Sequence, residues 1–180
     1  MKNSPATHFT LFTTALGTCG LAWNDTGIVR SSLPDPDLAH LRAHLCGGDA
    51  TESSEFPAFV RQTIEQIQLL LAGEVADLST VPLDFSEVAP FTQRIYDLVR
   101  AIPRGATLSY GEVAAKLGEP GAARAVGQAM ATNPFPPIVP CHRVLAANGK
   151  PGGFSAPGGT LTKLKLLQLE GALEDDLFGW

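Results

Sequence analysis

The stretch SYGEVAAKLGEPGAARAVGQAMATNP, residues 109–134, decides the fold expected for the second half of the chain. Residues 109–118 read as a short helix that a glycine ends. Residues 119–134 read as a second helix, which opens on Pro-Gly and closes on Asn-Pro. Two short helices across a tight Gly/Pro turn are typical of a helix-turn-helix. Many enzymes contain such a pair without touching DNA, so the motif alone leaves its role open.

The second of these helices has two distinct faces. At about 100° per residue, one face is an apolar stripe for the core, formed by Ala122, Val126 and Met130. Another face holds only very small side chains, which we call the small stripe: Ala123, Gly127 and Ala131. Arg124 stands beside the small stripe. This pattern fits a helix that approaches a narrow groove and inserts one cation, or a helix packed tightly on another with Arg124 in solvent.

The residues before this stretch predict an α+β module. Residues 8–33 read as strands, because they are rich in Thr, Val, Ile and aromatic residues, and NDTG at 24–27 supplies a turn. Two helices follow, one within DPDLAHLRAHLCGG and one over residues 56–71. A further apolar helical face runs from Phe91 to Ile102 and ends at Pro103-Arg104-Gly105. We therefore expect an α+β fold, with an N-terminal module at 1–87 and a mainly helical domain at 88–180.

Charge is unevenly distributed between the two halves. Residues 1–90 contain 4 Lys and Arg against 11 Asp and Glu, whereas residues 91–180 contain 9 against 7. Without the acidic last seven residues, the second half carries a net charge of +5. Such asymmetry is a hint of a polyanionic partner on the basic side, or a chance fluctuation.

The three cysteines are few, odd in number and far apart, so we expect neither a disulfide framework nor a zinc ribbon. That usage fits a reducing cytoplasm. The first 23 residues form an apolar run that threonines and Gly17 interrupt, so a secretory signal is not expected. No stretch approaches the length of a membrane span, and no membrane partner is expected.

One cysteine has an unusual setting in PFPPIVPCHRVL, residues 134–145. Proline fixes φ and removes a hydrogen-bond donor, so this flank predicts a stiff segment that holds Cys141 in one place. A reactive cysteine needs a proton acceptor and nearby positive charge, and His142 and Arg143 follow directly. In an extended segment adjacent side chains point apart, so contact between thiol and imidazole would require a water bridge or a sharp turn. The alternative is a buried, inert cysteine.

These residues together resemble the O6-alkylguanine-DNA alkyltransferases, also called methylated-DNA–protein-cysteine methyltransferases. The resemblance rests on residues 109–145, with RAVG, an Asn-Pro eight residues before the cysteine and PCHRV, and continues through GGFSAPGG and LLQLEG. It covers roughly residues 88–172, while the N-terminal module matches only in kind. It implies a ribonuclease-H-like N-terminal module and a winged helix-turn-helix-like motif that binds DNA in the minor groove.

The resemblance also implies a role for each matching residue. Cys141 would accept the alkyl group from O6 of guanine, with His142, partly ionising the sulfur, as its base through a bridging water and Glu170 orienting that histidine. Further catalytic roles fall to Tyr110, as proton donor to the guanine, and to Asn133, as a brace for the turn. The damaged base would be bound by Ser155, Tyr110, Val144 and Phe154. DNA would be bound by Ala123, Gly127, Ala131 and Arg124, the last replacing the flipped-out guanine.

Further expectations follow from this chemistry. An S-alkyl thioether is a poor leaving group, so Cys141 would be consumed, and neither a metal nor an organic cofactor is needed. We expect a monomer whose partner is double-stranded DNA containing O6-alkylguanine, with O4-alkylthymine as a further substrate to consider. His40 and His44 lie four apart on a helix, a spacing that can clamp a metal, but the glutamate of HExxH is missing. We therefore expect no metal site.

Three other classes of protein were weighed. A non-enzymatic relative that binds alkylated DNA would carry another residue in place of Cys141. A Cys-His hydrolase would need its base at a distance in sequence and a nucleophile at a helix N-terminus. A transcription regulator would need a sensor or a second DNA-binding module.

The chain departs from the family's pattern in one loop. The loop GGFSAPGGTLTK is longer than the family's usual loop, and Phe154 stands where a tyrosine is more common.

Overall fold

The computed structural model describes residues 5–173. They form two compact units, each described here by itself. The first unit contains the chain up to Ala89 together with Pro134–Ile138, and the second contains Pro90–Asn133 and the chain from Val139 onward. No helix among the described residues combines the length and the apolar character needed to cross a bilayer.

The first unit is built on a four-stranded sheet. Strands β1 (His8–Thr14), β2 (Gly17–Trp23) and β3 (Ile28–Ser32) lie where residues 8–33 predicted strands, and they form an antiparallel meander. The predicted turn at 24–27 is present, with the amide of Asn24 donating to the carbonyl of Gly27. The short strand β4 (Thr51–Glu52) pairs in parallel with β1, giving the order β3-β2-β1-β4. Nothing in the sequence indicated β4.

Two helices cover this sheet. Helix α1 (Leu38–Cys46) begins at Asp37, whose carboxylate accepts from the amides of Ala39 and His40, and it ends at Gly47 in the left-handed conformation. Helix α2 (Ala58–Leu71) buries one apolar face, as the spacing predicted. Strand and helix side chains meet in one core cluster: Ala6, Phe9, Ala22, Leu41, Leu45 and Ala50.

The second unit is mainly helical. Its helices are α3 (Pro90–Arg100), α4 (Tyr110–Lys116), α5 (Ala123–Ala131) and α6 (Gly159–Leu169). A two-stranded parallel sheet joins β5 (Leu108–Ser109) to β6 (Val144–Leu145). Helices α4 and α5 are the predicted helix pair, linked by a 3₁₀ turn at Pro120–Ala122. The predicted α+β class, with an N-terminal sheet and a helical C-terminal region, is confirmed.

Local sequence accounts for the start of α4. Ser109 accepts from the amide of Glu112, and the Glu112 carboxylate accepts from the amide of Ser109, which forms a capping box. The register of β5 on β6 then fixes what lies beside this helix start, because Leu108 pairs with Val144 and Ser109 with Leu145. The first residue of α4 and the residues just before β6 are thereby brought to one place.

The proline-rich segment Pro134–Ile138 groups with the first unit. Ser31 of β3 binds it twice, because its amide donates to the Pro134 carbonyl at 2.9 Å and its hydroxyl donates to the Pro136 carbonyl at 2.7 Å. The ring of Phe135 is buried and meets the ring of Phe85 edge-on, with centroids 5.7 Å apart. The segment is therefore held by hydrogen bonds and ring packing in addition to its own stiffness.

Candidate active site

Cys141 lies in a turn, and the extended backbone considered for this stretch is wrong here. Cys141–Arg143 form one turn of 3₁₀ helix. The amide of Cys141 donates to the carbonyl of Val139 at 2.8 Å, and the amide of Arg143 donates to the carbonyl of Pro140 at 2.9 Å. Pro140 has the φ that its ring imposes, but its ψ of 68° bends the chain. The sequence rule that neighbouring side chains point apart therefore does not apply to Cys141 and His142.

Asn133 lies where it can brace this turn. Its carboxamide nitrogen donates to the Val139 carbonyl at 2.9 Å, and its side chain also hydrogen-bonds the Cys141 thiol. One side chain thus holds the backbone before the turn and the sulfur within it. The role of Asn133 in catalysis stays a prediction.

Burial sets the protonation state of Cys141. The residue is 5% exposed, and desolvation raises the pKa of its thiol. The hydrogen bond from Asn133 and the positive charge of Lys163 act in the opposite direction on this pKa without overcoming burial. The expectation of a partly ionised sulfur is therefore wrong for the resting protein. A protonated thiol needs a base before it can attack an alkyl carbon.

His142, Glu170 and Arg143 form a buried network. His142 Nε2 lies 3.0 Å from Glu170 Oε1, and the Arg143 guanidinium donates to both carboxylate oxygens, at 2.7 Å from Nη2 and 2.9 Å from Nε. The third guanidinium contact, Nη1 to the Ile102 carbonyl at 2.6 Å, ties the network to the end of α3. Glu170 closes α6, so two helices and the reactive turn meet here.

The charges in this network assign the proton on His142. The hydrogen bonds from His142 and Arg143 outweigh desolvation and lower the pKa of Glu170 from 4.5 to about 2, so Glu170 is a carboxylate that can only accept. His142 Nε2 must then carry the hydrogen, which makes Nδ1 the basic nitrogen. Burial lowers the pKa of His142, so the imidazole is neutral at rest and able to receive a proton.

Lys163 belongs to this site and was missed in the sequence. It is 1% exposed, and its ammonium donates to the Val144 carbonyl at 2.6 Å. Burial lowers its pKa to about 8. A signal for it existed: Lys163, Leu166, Leu167 and Glu170 are spaced i, i+3, i+4, i+7, which places the lysine on the buried face of α6.

The residues that are expected to bind the damaged base differ in their burial and in their contacts. Tyr110 is the first residue of α4 and is half-buried. Burial raises its pKa, and a thiolate at Cys141 would raise it further. Val144 is buried, and Phe154 lies under the Lys163 ammonium, 5.8 Å from ring centroid to Nζ. Ser155 is exposed. Gly152 lets its loop approach Tyr110, because a Cβ there would lie 3.0 Å from the phenol oxygen.

The small stripe of α5 faces open space at its centre. Val126 and Met130 of the apolar stripe are buried, as predicted. A Cβ added at Gly127 would meet nothing within 4 Å, and Arg124 is exposed. The alternative of tight packing at Gly127 is therefore wrong. The geometry leaves a smooth surface beside one long cation, which the groove interpretation requires.

The other cysteines and histidines have local roles in the first unit. His40 Nδ1 lies 2.7 Å from the Asp35 carboxylate, next to the start of α1. Burial raises the pKa of Cys19 to about 12, and the Cys46 thiol donates to the Ala50 carbonyl. Among residues 5–173, no three His, Cys, Asp or Glu side chains are grouped so as to hold a metal ion.

Comparison with known proteins places the chain in a class. Residues 90–172 match the family model described as 6-O-methylguanine DNA methyltransferase, DNA binding domain. The methylated-DNA–protein-cysteine methyltransferase of Methanothermobacter thermautotrophicus is 34% identical over 152 residues, which are 84% of this chain and 78% of that protein. A Thermus thermophilus DNA base-flipping protein is 44% identical over 109 residues, 61% of this chain and 71% of its own.

The chain is also similar to a solved structure over most of its length. The crystal structure of Mycobacterium tuberculosis OGT in complex with DNA superposes with a TM-score of 0.73 at 34% identity, covering 92% of this chain and 93% of that one. The chain belongs to the methylated-DNA–protein-cysteine methyltransferase family, so the resemblance seen in residues 109–145 is confirmed. DNA is accordingly its partner, through the matched DNA-binding domain.

Proposed function

We propose that this protein repairs DNA by moving the alkyl group from O6 of an alkylated guanine to Cys141, in a single irreversible step. The observation that carries the proposal is one buried thiol, braced by Asn133, whose chain neighbour His142 is paired with Glu170. A nucleophile, a base and a group that orients the base are the parts that covalent catalysis needs. All of them lie in the second unit.

The proton and electron changes can be followed through the residues. The Cys141 proton passes to His142 Nδ1, through a water or directly, and Glu170 stabilises the imidazolium that results. The thiolate then attacks the alkyl carbon; the S–C bond forms as the C–O6 bond breaks, and the electron pair leaves on the guanine. Tyr110 supplies a proton to the departing base, and the proton held by His142 restores the phenol. The products are a thioether and an unmodified guanine.

The thioether explains why the reaction would end there. Carbon–sulfur bonds of this kind offer no good leaving group at neutral pH, so Cys141 is not regenerated by any group in the site. The protein would act once per molecule, with O6-alkylguanine as substrate and without a cofactor. A buried thiol of raised pKa suits this use, because in the resting protein it is largely protonated and therefore reacts only slowly with other electrophiles.

Recognition would use the face of α5. With Gly127 open and Arg124 exposed, this helix can enter the minor groove, and Arg124 can fill the gap left by a guanine turned out of the stack. Val144 and Phe154 would then contact the flipped base, and Ser155 would bind O6. Binding of this kind depends mainly on phosphate contacts and little on sequence. We also propose that the protein acts as a monomer in the cytoplasm, where the thiol stays reduced.

Mass spectrometry tests the proposal directly. After incubation with a duplex containing O6-methylguanine, the protein should gain one methyl group, located on Cys141 by peptide mapping. Label on Cys19 or Cys46 would overturn the assignment. Tight binding to the same duplex with no methyl gain would instead support base flipping without alkyl transfer, and the T. thermophilus relative is named a DNA base-flipping protein.

Tyr110→Phe separates chemistry from binding. Loss of the phenol should slow the methyl-transfer step by about 100-fold or more, since general acid catalysis contributes about 10²–10⁴-fold. The affinity for DNA should stay nearly unchanged. Single-turnover rates and binding isotherms on the same oligonucleotide check both quantities. A parallel loss of affinity would assign Tyr110 to binding.

A further inference from the structure

Lys163 is a buried cation for which residues 5–173 provide no carboxylate partner. No carboxylate in the described part of the chain lies within 4 Å of its ammonium, which donates to the carbonyl of Val144. The Phe154 ring at 5.8 Å supplies a weak favourable contact. Burying an unpaired ammonium is costly, so its presence calls for a compensating charge.

The Val144 carbonyl, which accepts the hydrogen bond from Lys163, lies close to the reacting residues. Val144 begins β6 and directly follows the turn that holds Cys141. It also pairs with Leu108 of β5, two residues before Tyr110. The ammonium is thus fixed at the strand that joins the nucleophile to the phenol, and the Cys141 thiol lies close enough to respond to its charge.

In the resting site, the described groups around Lys163 supply no negative charge that would balance its ammonium. Glu170 is balanced by Arg143, which makes a two-point ion pair with it, and both Cys141 and His142 are neutral at rest. The charge of Lys163 therefore remains uncompensated. When the thiol proton moves to His142, a negative sulfur forms beside this cation.

We propose that Lys163 is a positioning residue whose buried ammonium stabilises the Cys141 thiolate as it forms and holds β6 in place behind it. The role of the thiolate in repair rests on the proposed function, whereas the effect of Lys163 on the ionisation of Cys141 does not. The charge is present below pH about 8 and is lost as the pH rises through that value, because burial lowers the pKa of Lys163.

Alkylation of Cys141 by iodoacetamide measures thiolate formation without DNA or guanine. The rate, followed by mass spectrometry of the Cys141 peptide from pH 6 to 10, reports the equilibrium in which Cys141, His142, Tyr110 and Lys163 titrate. Lys163→Met should reduce this rate at pH 7.5 by about tenfold or more and move the pH profile upward. Lys165→Met is the matched control, since Lys165 is exposed on the same helix and should leave the profile unchanged.

Two results would overturn the inference. One is an identical pH profile for Lys163→Met and Lys165→Met; the other is a lower rate for Lys163→Met with no change in the shape or position of the profile, which would indicate a structural role alone. If Lys163→Met does not fold by circular dichroism, Lys163→Arg decides. Arginine keeps its charge from pH 6 to 10, whereas Lys163 is charged only below pH about 8. A wild-type rate for Lys163→Arg below pH 8 would therefore support the electrostatic role, and a lower rate there despite the retained charge would refute it.

The same measurements separate this inference from the proposed function. If the wild-type protein fails to take a methyl group from O6-methylguanine while Lys163→Met still shifts the iodoacetamide profile, the repair proposal fails and the role of Lys163 stands. If repair occurs on Cys141 and Lys163→Met does not move the iodoacetamide profile, the repair proposal stands and the role of Lys163 fails.

Discussion

Replacing Glu170 by glutamine would remove the charge at the centre of the buried network while keeping the side-chain volume. The carboxylate is 1% exposed and accepts hydrogen bonds from His142 at 3.0 Å and from two nitrogens of Arg143 at 2.7 and 2.9 Å. Glutamine cannot accept at both of its terminal atoms. Glu170→Gln would therefore leave the Arg143 guanidinium buried without a counter-ion.

Two physical arguments give the size of the effect. Lowering the pKa of Glu170 from 4.5 to about 2 corresponds to about 3 kcal/mol of unfolding free energy, at about 1.4 kcal/mol per tenfold change in proton affinity. Removing one partner of a buried ion pair costs about 3–5 kcal/mol. Because the folded-state pKa is depressed, this stabilisation is present above pH 4.5 and is lost as the pH falls from 4.5 towards 2.

Urea unfolding at several pH values tests this reasoning. At pH 7 the unfolding free energy of Glu170→Gln should lie about 3 kcal/mol below that of the wild type, and the gap should narrow at pH 4 and again at pH 3. Glu119→Gln is a suitable control, since Glu119 is exposed and lies 3.9 Å from Arg94; its effect should stay below about 1 kcal/mol. A gap that is as wide at pH 3 as at pH 7, or one under about 1 kcal/mol at pH 7, would refute the assignment of charge to this network.

Three further substitutions test the helix pair α4 and α5. Arg124→Ala should slow repair of an O6-methylguanine duplex by about tenfold or more, the scale of a lost arginine contact, and leave reaction with free O6-benzylguanine unchanged; equal losses would exclude insertion into the stack. Gly127→Ala has room for its Cβ, so it should raise the unfolding free energy by up to about 1 kcal/mol and weaken DNA binding, and unaltered affinity in a binding isotherm would contradict the proposed interface. Ser109→Ala removes the capping box of α4 and should lower the unfolding free energy by about 1 kcal/mol in urea titrations; no change would mean that the cap is dispensable.

Local sequence patterns predicted most of the secondary structure. The strands of residues 8–33 and the helices that follow were predicted from periodicity and turn residues, because these depend on interactions a few residues apart. The short strands were not predicted. β4, β5 and β6 have two residues each, too few for a pattern, and they exist only because a distant strand offers them hydrogen bonds.

The residues of the candidate site also fall into two groups, those that the sequence predicted and those that it did not. Cys141 and His142 were predicted as site residues because they are neighbours whose types suggest chemistry, and Asn133 was predicted from the family resemblance. Lys163 was passed over, since a lysine on a helix is usually solvated and its burial depends on what α6 packs against. The ionisation of Cys141 was mispredicted for a related reason. Adjacent cationic residues favour a thiolate in water, but desolvation by the surrounding fold outweighs them.

Residues close together along the chain were enough to predict the helices, the strands within residues 8–33 and the family. Which charges lose their water depends on the fold: it pairs Glu170 with Arg143, buries Lys163 with no carboxylate within 4 Å in the described part of the chain, and keeps Cys141 protonated. The physical reason is that the free energy of a charge depends on its solvent and its neighbours in space. Both are set by segments that the sequence places far apart.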